Sequence, residues 1–379
     1  MQLDLSPEHA ALRAAVREFA QSVVKPHASA VDHDHRFPEE AIQGARELDL
    51  LGILVPAEYG GAGLDHLSFT LCIEELAVAC ASTAVIVDVH NSVACEPILL
   101  FGREEQKRRW LPAMARGEIL GAFALTEPGS GSDAAALQTS ARRYGDEYVL
   151  NGSKVFITNV GHAGLYIVFG RTGGDHRAGG ISAFIVPGDA PGLKVGQVFS
   201  KMGLHGSPTG ELVLEEVRVP AANLLHEEGK GFQVAMRALD SGRIGISGQA
   251  LGIAQAALSE ATEFTKERHQ FGQPVAMFQG VSFMLTDMAT RLVAARQLTY
   301  HAAVLCTAGK PFTREASMAK LFSTDAAMDI ATDCVQLAGG YGYVSDYPFE
   351  RHFRDAKALQ IYEGSNQIQR VVIARELLR

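Results

Sequence analysis

The spacing of apolar residues predicts helices over roughly the first 119 residues. Phe69, Ile73, Leu76 and Cys80 are spaced i, i+4, i+7 and i+11, which places them on one face of a helix. Asp65 stands just before this face and is a residue type that caps helix N-termini. We therefore predict an α-helical domain at 1–119.

Between 120 and 228 the pattern changes to short apolar runs separated by turn residues. We predict a hairpin in which strands at 148–150 and 155–157 flank an Asn151-Gly152 turn. Further strands are predicted at 165–169, 181–186 and 212–214. No long helical pattern separates these runs, so we expect antiparallel pairing in this β domain rather than parallel βαβ units.

From 229 to 379 the periodicity is helical again. Apolar residues on one face of a predicted long helix extend from Phe232 to Ala257, and those of a second helix extend from Leu285 to Ala295. A third helix is predicted over about 314–337, where Gly339-Gly340 forms a typical stop, and a fourth follows Ser365. The chain is thus predicted to be mostly α with a middle β domain: an α-helical domain at 1–119, an antiparallel β domain at 120–228 and a four-helix bundle at 229–379.

Charge and composition exclude several classes of function. The sequence has 34 basic and 43 acidic residues, a formal net charge of −9, which argues against a nucleic-acid partner. Asp88 ends the longest apolar run before it reaches the ~18 residues of a membrane span, so none is expected. Asp4 and Glu8 precede any Lys or Arg, so no signal or transit peptide is expected, and we predict a cytoplasmic protein.

Metal and thiol chemistry are also not predicted. The five cysteines form no CxxC pair, which favours buried thiols in a reducing compartment. The run Asp32-His33-Asp34-His35 contains metal-ligating residue types, but its place between predicted helices favours a solvated loop. No metal site is expected.

The stretch 360–370 holds the strongest candidate for chemistry. Glu363 lies in a Gly-flanked turn just before a predicted helix N-terminus, where the positive end of the helix dipole favours an anion or an enolate. A carboxylate in such a turn can project into a cleft as a base. Alternatively, Glu363 only stabilises the start of the helix.

Three further stretches have two possible roles each. The Gly/Ser-rich loop 126–133 can present N–H groups to a phosphate or a ring edge, or it is a plain surface turn. Arg243 falls on the apolar stripe of the long helix, where it either faces a ligand or pairs locally with Asp240. Arg268 ends that helix, where the dipole alone favours a cation, but it can also reach a pyrophosphate.

Taken together, these stretches resemble the acyl-CoA dehydrogenase family over essentially the whole chain, from Leu5 to Arg379. Within the family, the short-chain (butyryl-CoA) type is the most similar, on the stretches 80–83 and 239–243. The motifs that carry the resemblance are FALTEPGSGSDAA (123–135), NGSKVFITN (151–159), LDSGRIGISGQALGIAQAAL (239–258), ERHQFGQPV (267–275), QLAGGYGY (336–343) and IYEGSNQIQR (361–370).

The resemblance implies a homotetramer that binds FAD, oxidises acyl-CoA to trans-2-enoyl-CoA and passes electrons to an electron-transferring flavoprotein. It implies that Glu363 is the catalytic base. The residues implied to line the flavin are Phe123, Leu125, Thr126, Gly131, Ser132, Phe156, Thr158, Ser365 and Gln367. Those implied to reach the FAD of a neighbouring subunit are Arg268, Gln270, Phe271, Gln279, Gln336, Gly339 and Gly340. Those implied to contact acyl-CoA are Ser132, Asp240, Arg243, Tyr362 and Gly364.

Two departures and two alternatives accompany this resemblance. Many relatives have Trp where this chain has Phe156, and Ser365-Asn366 replaces the common Thr-Ser after the Gly, which keeps a hydroxyl at 365. The isovaleryl branch takes its base from the position of Gly242, which cannot supply one, so the resemblance implies Glu363 as the base. An acyl-CoA oxidase that uses O₂ directly is one alternative, although such chains are usually much longer. A catalytically silent flavoprotein is the other, and the presence of Glu363 argues against it.

Overall fold

The computed structural model describes residues 5–173 and 178–379. Its N-terminal part is helical. Asp65 caps the N-terminus of α4 by accepting a hydrogen bond from the Ser68 N–H at 2.7 Å, which confirms the predicted cap. The α-helices of this part are α1 (Pro7–Phe19), α2 (Ala28–His33), α3 (Glu39–Glu47), α4 (His66–Ala79), α5 (Ala81–Val89), α6 (Glu96–Phe101) and α7 (Glu104–Ala115).

One helical stretch, Ala81–Phe101, is long and apolar enough to cross a membrane by length and composition alone. The charged residue Asp88 lies within this stretch, so the sequence predicts no uninterrupted apolar run of membrane-spanning length. In the structure, 83% of its most apolar 18 residues are buried inside the protein.

The middle part is one mixed sheet with strand order β6-β7-β3-β2-β4-β5-β8. Its neighbouring strands are mostly antiparallel, as expected, but β4 pairs in parallel with both β1 and β2. The strands are β1 (Gly121–Ala124), β2 (Ser140–Tyr144), β3 (Glu147–Thr158), β4 (Leu165–Arg171), β5 (Ile181–Pro187), β6 (Leu193–Val198), β7 (Thr209–Pro220) and β8 (Leu224–Leu225).

The predicted hairpin at Asn151-Gly152 is wrong, because β3 runs straight through both residues. The Asn151 Oδ1 accepts a hydrogen bond from the Glu216 N–H of β7 at 2.8 Å, at a register shift between the two strands. A Cβ at Gly152 would lie 2.8 Å from the Thr139 Cα, so glycine is needed here for a close approach rather than for a turn. The turn that joins β2 to β3 is Gly145-Asp146.

The C-terminal part is helical, with a short ribbon of β9 and β10. Three of its helices match the long helices predicted from the apolar stripes, and Gly339 ends α10 with a φ of 60°. Helix α12 was not predicted. The elements are α8 (Gly231–Glu267), β9 (His269–Gln270), β10 (Gln273–Pro274), α9 (Gln279–Thr307), α10 (Thr313–Ala338), α11 (Gly340–Tyr343), α12 (Phe349–Leu359) and α13 (Asn366–Leu377).

Helix α8 is the central element of the molecule. It packs against α4 and α5 of the N-terminal part and against α9, α10 and α12 of the C-terminal part. One core cluster joins residues of both parts, among them Val85 and Val89 of α5 and Ile244 and Ile246 of α8. Side chains from both helical regions therefore meet along α8.

Three residues of the acidic and histidine run at 32–35 are exposed, as expected, but Asp32 is half-buried. Asp32 forms an ion pair with Arg354 of α12 at 2.6 Å and lies 3.0 Å from His205, so it joins the N-terminal part to the C-terminal part. His33 and Asp34 are exposed. Within 5–173 and 178–379, no group of three or more metal-ligating side chains is arranged to hold an ion. All five cysteines are buried and free, as predicted.

Candidate active site

Glu363 lies in the turn between α12 and α13, where two successive residues are left-handed. The φ angles are 52° at Glu363 and 88° at Gly364. A left-handed glutamate is uncommon and strained, whereas glycine adopts this region freely. The Gln369 Nε2 donates to the carbonyl oxygens of Glu363 at 3.2 Å and Gly364 at 2.8 Å, which holds the strained turn in place.

This turn places the Glu363 carboxyl group against the backbone of α8 at Gly242. A Cβ at Gly242 would lie 2.8 Å from the Glu363 Cδ and would overlap Oε2. Oε2 is buried and has no hydrogen-bond partner in the described part of the chain. The N-terminus of α13 is capped by Ser365, which accepts from the Ile368 N–H at 3.4 Å, so Glu363 does not serve as its cap.

The surroundings of Glu363 favour a base that is active near neutral pH. Burial raises the pKa of Glu363 to about 7, and the nearby charges of Arg243 and Lys320 oppose that rise. A second buried carboxyl group, Asp88 of α5, lies against Gly245, one turn further along α8. Burial and the charge of Glu363 raise the pKa of Asp88 well above its usual range. A carboxyl group with a pKa near 7 is well matched to general-base catalysis.

Arg243 pairs locally with Asp240 and also keeps a donor that is available to a ligand. It is only 4% exposed, and its Nη1 donates to the Asp240 Oδ1 at 2.5 Å, so the local pair exists. The other oxygen of Asp240 accepts from the Thr313 Oγ1 at 2.6 Å. The Arg243 Nε has no partner among the residues described, so Asp240 does not satisfy the whole guanidinium group. A buried cation with an unpaired donor beside Glu363 can bind an anionic or carbonyl group of a ligand.

The loop 126–133 is an ordered structure rather than a plain surface turn. Lys154 is fully buried, and its Nζ donates to the Leu125 carbonyl at 3.1 Å and to the Glu127 Oε1 at 2.8 Å. The Glu127 carboxylate also accepts from the N–H groups of Gln138 at 2.5 Å and Thr139 at 2.9 Å. Lys154 and Glu127, which the sequence analysis missed, therefore hold this loop against β3.

The comparisons with known proteins identify the family. Three family models, for the N-terminal, middle and C-terminal domains of acyl-CoA dehydrogenase, match residues 6–118, 122–217 and 229–378. The chain belongs to the acyl-CoA dehydrogenase family. Together the models cover most of the chain and agree with the resemblance found in the sequence motifs.

Similar proteins match this acyl-CoA dehydrogenase over nearly its full length. An acyl-CoA dehydrogenase of Bacillus subtilis (strain 168) is 51% identical over 376 residues, which cover 99% of this chain and 99% of that protein. The mitochondrial short-chain specific acyl-CoA dehydrogenase of Rattus norvegicus is 47% identical over 377 residues, covering 100% and 92%. The structure of butyryl-CoA dehydrogenase from Megasphaera elsdenii is 45% identical, with a TM-score of 0.98 over 100% of both chains.

Acyl-CoA dehydrogenases depend on FAD, and the residues of the β domain fit a flavin. Phe156 is 67% exposed at a φ of 59°, with its ring centroid 5.2 Å from that of Phe199, so an apolar aromatic surface is presented outward. Such a surface suits the face of an isoalloxazine ring. Gly131 has no neighbour within 4 Å of its Cβ position, and Ser132 is exposed. Thr126 and Thr158 are half-buried.

Two residues of the predicted flavin set are packed into the protein. The Leu125 side chain is buried in the core, and its carbonyl is bonded to Lys154. The Phe123 ring lies 4.9 Å from that of Phe169. Their roles toward a flavin stay predictions, as do those of Ser365, which caps α13, and Gln367, which is exposed.

A second group of predicted cofactor residues lies at the far end of α8. A cavity of about 650 Å³ is lined by Arg268, Gln270, Gln336, Gly339 and Gly340. Phe271, which is 94% exposed, and Gln279 do not line it.

This cavity is far from Glu363. Arg268 is 26 residues from Gly242 along α8, roughly 39 Å at 1.5 Å per residue. Within one chain the Arg268 group therefore lies at the opposite end of α8 from Glu363, and its contact with the FAD of a neighbouring subunit stays a prediction.

If the expected homotetramer binds FAD across its interface, Arg268→Ala should weaken FAD retention and shift the assembly toward smaller species, because a cofactor bound across an interface stabilises only the assembled form. Added FAD should partly restore both properties. Size-exclusion chromatography with light scattering, with and without excess FAD, measures them together.

Lys266→Ala is the matched control for Arg268→Ala. Lys266 also lies at the C-terminal end of α8, pairs with Glu263 at 2.7 Å and does not line the cavity. If both variants behave alike, or if Arg268→Ala stays tetrameric with full flavin content, Arg268 serves only the helix dipole.

Proposed function

We propose that this enzyme oxidises short-chain acyl-CoA, straight or branched, to trans-2-enoyl-CoA, with Glu363 as the base. Acyl-CoA dehydrogenation itself follows from the family. The role of Glu363 as the base is supported by the position of its carboxyl group, which packs against Gly242 with Oε2 buried and unpartnered. Burial raises the pKa of this group to about 7. The short-chain preference is supported by the substrates named for two similar proteins.

The proposed chemistry begins with a weakly acidic α-proton of the thioester, which Glu363 accepts. The backbone N–H of Glu363 hydrogen-bonds the thioester oxygen and stabilises the developing enolate, as the family resemblance implies. The β-domain residues around Phe156 would hold FAD, which would supply the acceptor for the β-hydrogen as it leaves as a hydride. Binding of the acyl chain excludes water from the cleft, which should raise the pKa of Glu363 further and strengthen the base.

The residue before the base anchors the turn from its other side. The Tyr362 hydroxyl donates to the Gln249 Oε1, and the Gln249 Nε2 donates to the Ala81 carbonyl at 2.8 Å. These bonds tie the Glu363 turn to α8 and to the start of α5. The base is thus held on a rigid support, which efficient proton transfer requires.

The proposed electron acceptor is an electron-transferring flavoprotein, and the proposed assembly is a homotetramer. Both follow from the family resemblance. Arg268 lies about 39 Å along α8 from Gly242, where Glu363 packs, so it is remote from the base of its own chain, which is consistent with an assembly in which subunits share FAD sites.

Arg243→Ala is expected to raise KM for acyl-CoA about 10- to 100-fold with a smaller change in kcat. A hydrogen bond from a charged group is worth about 1.5–3 kcal/mol, and this contact is made equally in the ground and transition states. Steady-state kinetics with a dye acceptor measure the two constants. Stability should also fall, because the variant leaves Asp240 buried without its cation.

Arg237→Ala is a matched control for Arg243→Ala on the same helix. Arg237 pairs with the buried Glu96 at 3.2 Å, and no role toward substrate is proposed for it. It should lose stability while KM stays near the wild-type value. If Arg243→Ala lowers the melting temperature but leaves KM unchanged, Arg243 is structural.

The proposed function is tested by adding butyryl-CoA to the purified yellow protein without air. Reduction bleaches the flavin, and a panel of acyl-CoA chain lengths and branches then ranks the substrates. Bleaching only with long chains would overturn the short-chain proposal, and no bleaching with any acyl-CoA would overturn the function. Rapid reoxidation by O₂ with stoichiometric peroxide would instead indicate the oxidase alternative.

A further inference from the structure

Lys320 of α10 is a buried lysine that has no role in the proposed chemistry so far. Its side chain is fully buried. Its Nζ donates to the Gly364 carbonyl at 2.8 Å and to the Asn366 Oδ1 at 2.9 Å. Both acceptors lie within three residues after Glu363, so Lys320 contacts the segment that positions the base.

The acceptors of Lys320 are themselves held in place. Asn366 is 4% exposed, and its Nδ2 donates to the Thr324 Oγ1 at 3.0 Å and to the Asp325 Oδ1 at 2.7 Å. The Gly364 carbonyl also accepts from Gln369. Lys320 therefore joins α10 to the left-handed turn and to the first residue of α13.

The charge of Lys320 is also coupled to the base. Burial lowers the pKa of Lys320 to about 7, and the negative charge of Glu363 opposes that shift. In return, Lys320 and Arg243 hold down the pKa of Glu363. The titratable and charged groups around the base are Asp88 of α5, Asp240 and Arg243 of α8, Lys320 and Asp325 of α10, Asp355 of α12, Tyr362 of the turn and Arg375 of α13.

We propose that Lys320 is a positioning residue for the base: it fixes the Glu363-Gly364 turn through the Gly364 carbonyl and keeps an ammonium group beside the Glu363 carboxylate. This inference rests on the proposed role of Glu363. A purely structural role, in which Lys320 only fastens α13 to α10, predicts different results, because it leaves the protonation of Glu363 unchanged.

Lys320→Met removes both hydrogen bonds and the charge while keeping most of the apolar stem. We expect kcat to fall about 10- to 100-fold, because small displacements of a catalytic group have effects of this size. We also expect the acid limb of the kcat/KM profile to move up by about one pH unit, since loss of a nearby positive charge raises the pKa of a carboxyl group. Lys320→Arg should restore the position of the limb, because it keeps the charge.

Lys320→Gln separates the two parts of the proposal. It keeps a donor for the Gly364 carbonyl without the charge, so kcat should fall less than in Lys320→Met while the acid limb still moves up. Lys320→Gln also tests the proposal if Lys320→Met does not fold. Glu260→Gln is the control, because it breaks a pair with His352 at 2.8 Å in the C-terminal helices: it should lower thermal stability without moving the acid limb.

An infrared titration of the Glu363 carboxyl band, obtained by subtracting the spectra of Glu363→Gln, follows the same proton without turnover. It should show the upward shift in Lys320→Met and Lys320→Gln even if the enzyme assay is uninformative. Lower melting temperatures with a wild-type acid limb, kcat and infrared titration would overturn the proposal and leave Lys320 structural. Full activity of Glu363→Gln would instead overturn the proposed function, so the two failures are distinct.

Discussion

Glu363→Gln is expected to abolish reduction of the enzyme by acyl-CoA while FAD and acyl-CoA still bind. Glutamine has nearly the same shape as glutamate and can occupy the same space against Gly242, but its amide does not accept the α-proton. Removal of a positioned base typically costs about 10²–10⁴-fold in rate. Anaerobic stopped-flow bleaching by butyryl-CoA measures the loss, and the flavin absorbance of the purified variant measures FAD retention.

Glu260→Gln is a suitable control for this variant. Glu260 is another carboxyl group of the helical core, accepts from His352 at 2.8 Å and lies 18 residues from Gly242 along α8, roughly 27 Å. Its loss should lower stability but leave the bleaching rate near that of the wild type. If Glu363→Gln bleached as fast as the wild type, the base would be another group, and Asp88 would be the next carboxyl group to test.

Fold predictions that rest on residues close together in the sequence are confirmed, whereas one that distant residues decide is wrong. The N-cap at Asp65 and the stop at Gly339 each involve residues within one helical turn, and the structure confirms both. The hairpin failed because Asn151-Gly152 is a strong local turn signal that long-range contacts override. Those contacts are the hydrogen bond to Glu216 and the close approach of Thr139, and neither is visible in the sequence.

The site was only partly predictable for a similar reason. Arg243 stood out because it is a charge on an apolar stripe, and the structure buries it beside Glu363. Lys320 carries the same signal on α10, where Ala316, Ala319 and Ala327 are buried around it, so the same argument could have found it. Asp88 was seen only as the end of an apolar run, and its approach to Glu363 depends on the packing of α5 against α8.

The importance of Gly242 for the site depends on a contact with Glu363 that is not visible in the sequence. A glycine inside a helix usually costs stability relative to alanine, by roughly 0.5–1 kcal/mol. In this protein α8 contains Gly242 and Gly245 one turn apart, and each accommodates a carboxyl group, from Glu363 and Asp88 respectively. These glycines therefore lower the stability of α8, but they leave space in the core for the carboxyl groups of Glu363 and Asp88.

Gly242→Ala is accordingly expected to change activity and stability in opposite directions. The added Cβ would overlap the far end of the Glu363 side chain, which can rotate away at little cost, so the fold should survive and gain helix stability. The displaced carboxyl group, however, should lower the rate of bleaching by butyryl-CoA about 10²-fold. Gly248→Ala on the same helix is the control: its Cβ would meet the Thr70 carbonyl at 3.0 Å rather than Glu363, so any change should be confined to stability. A wild-type bleaching rate in Gly242→Ala would show that catalysis does not require Glu363 to pack against Gly242.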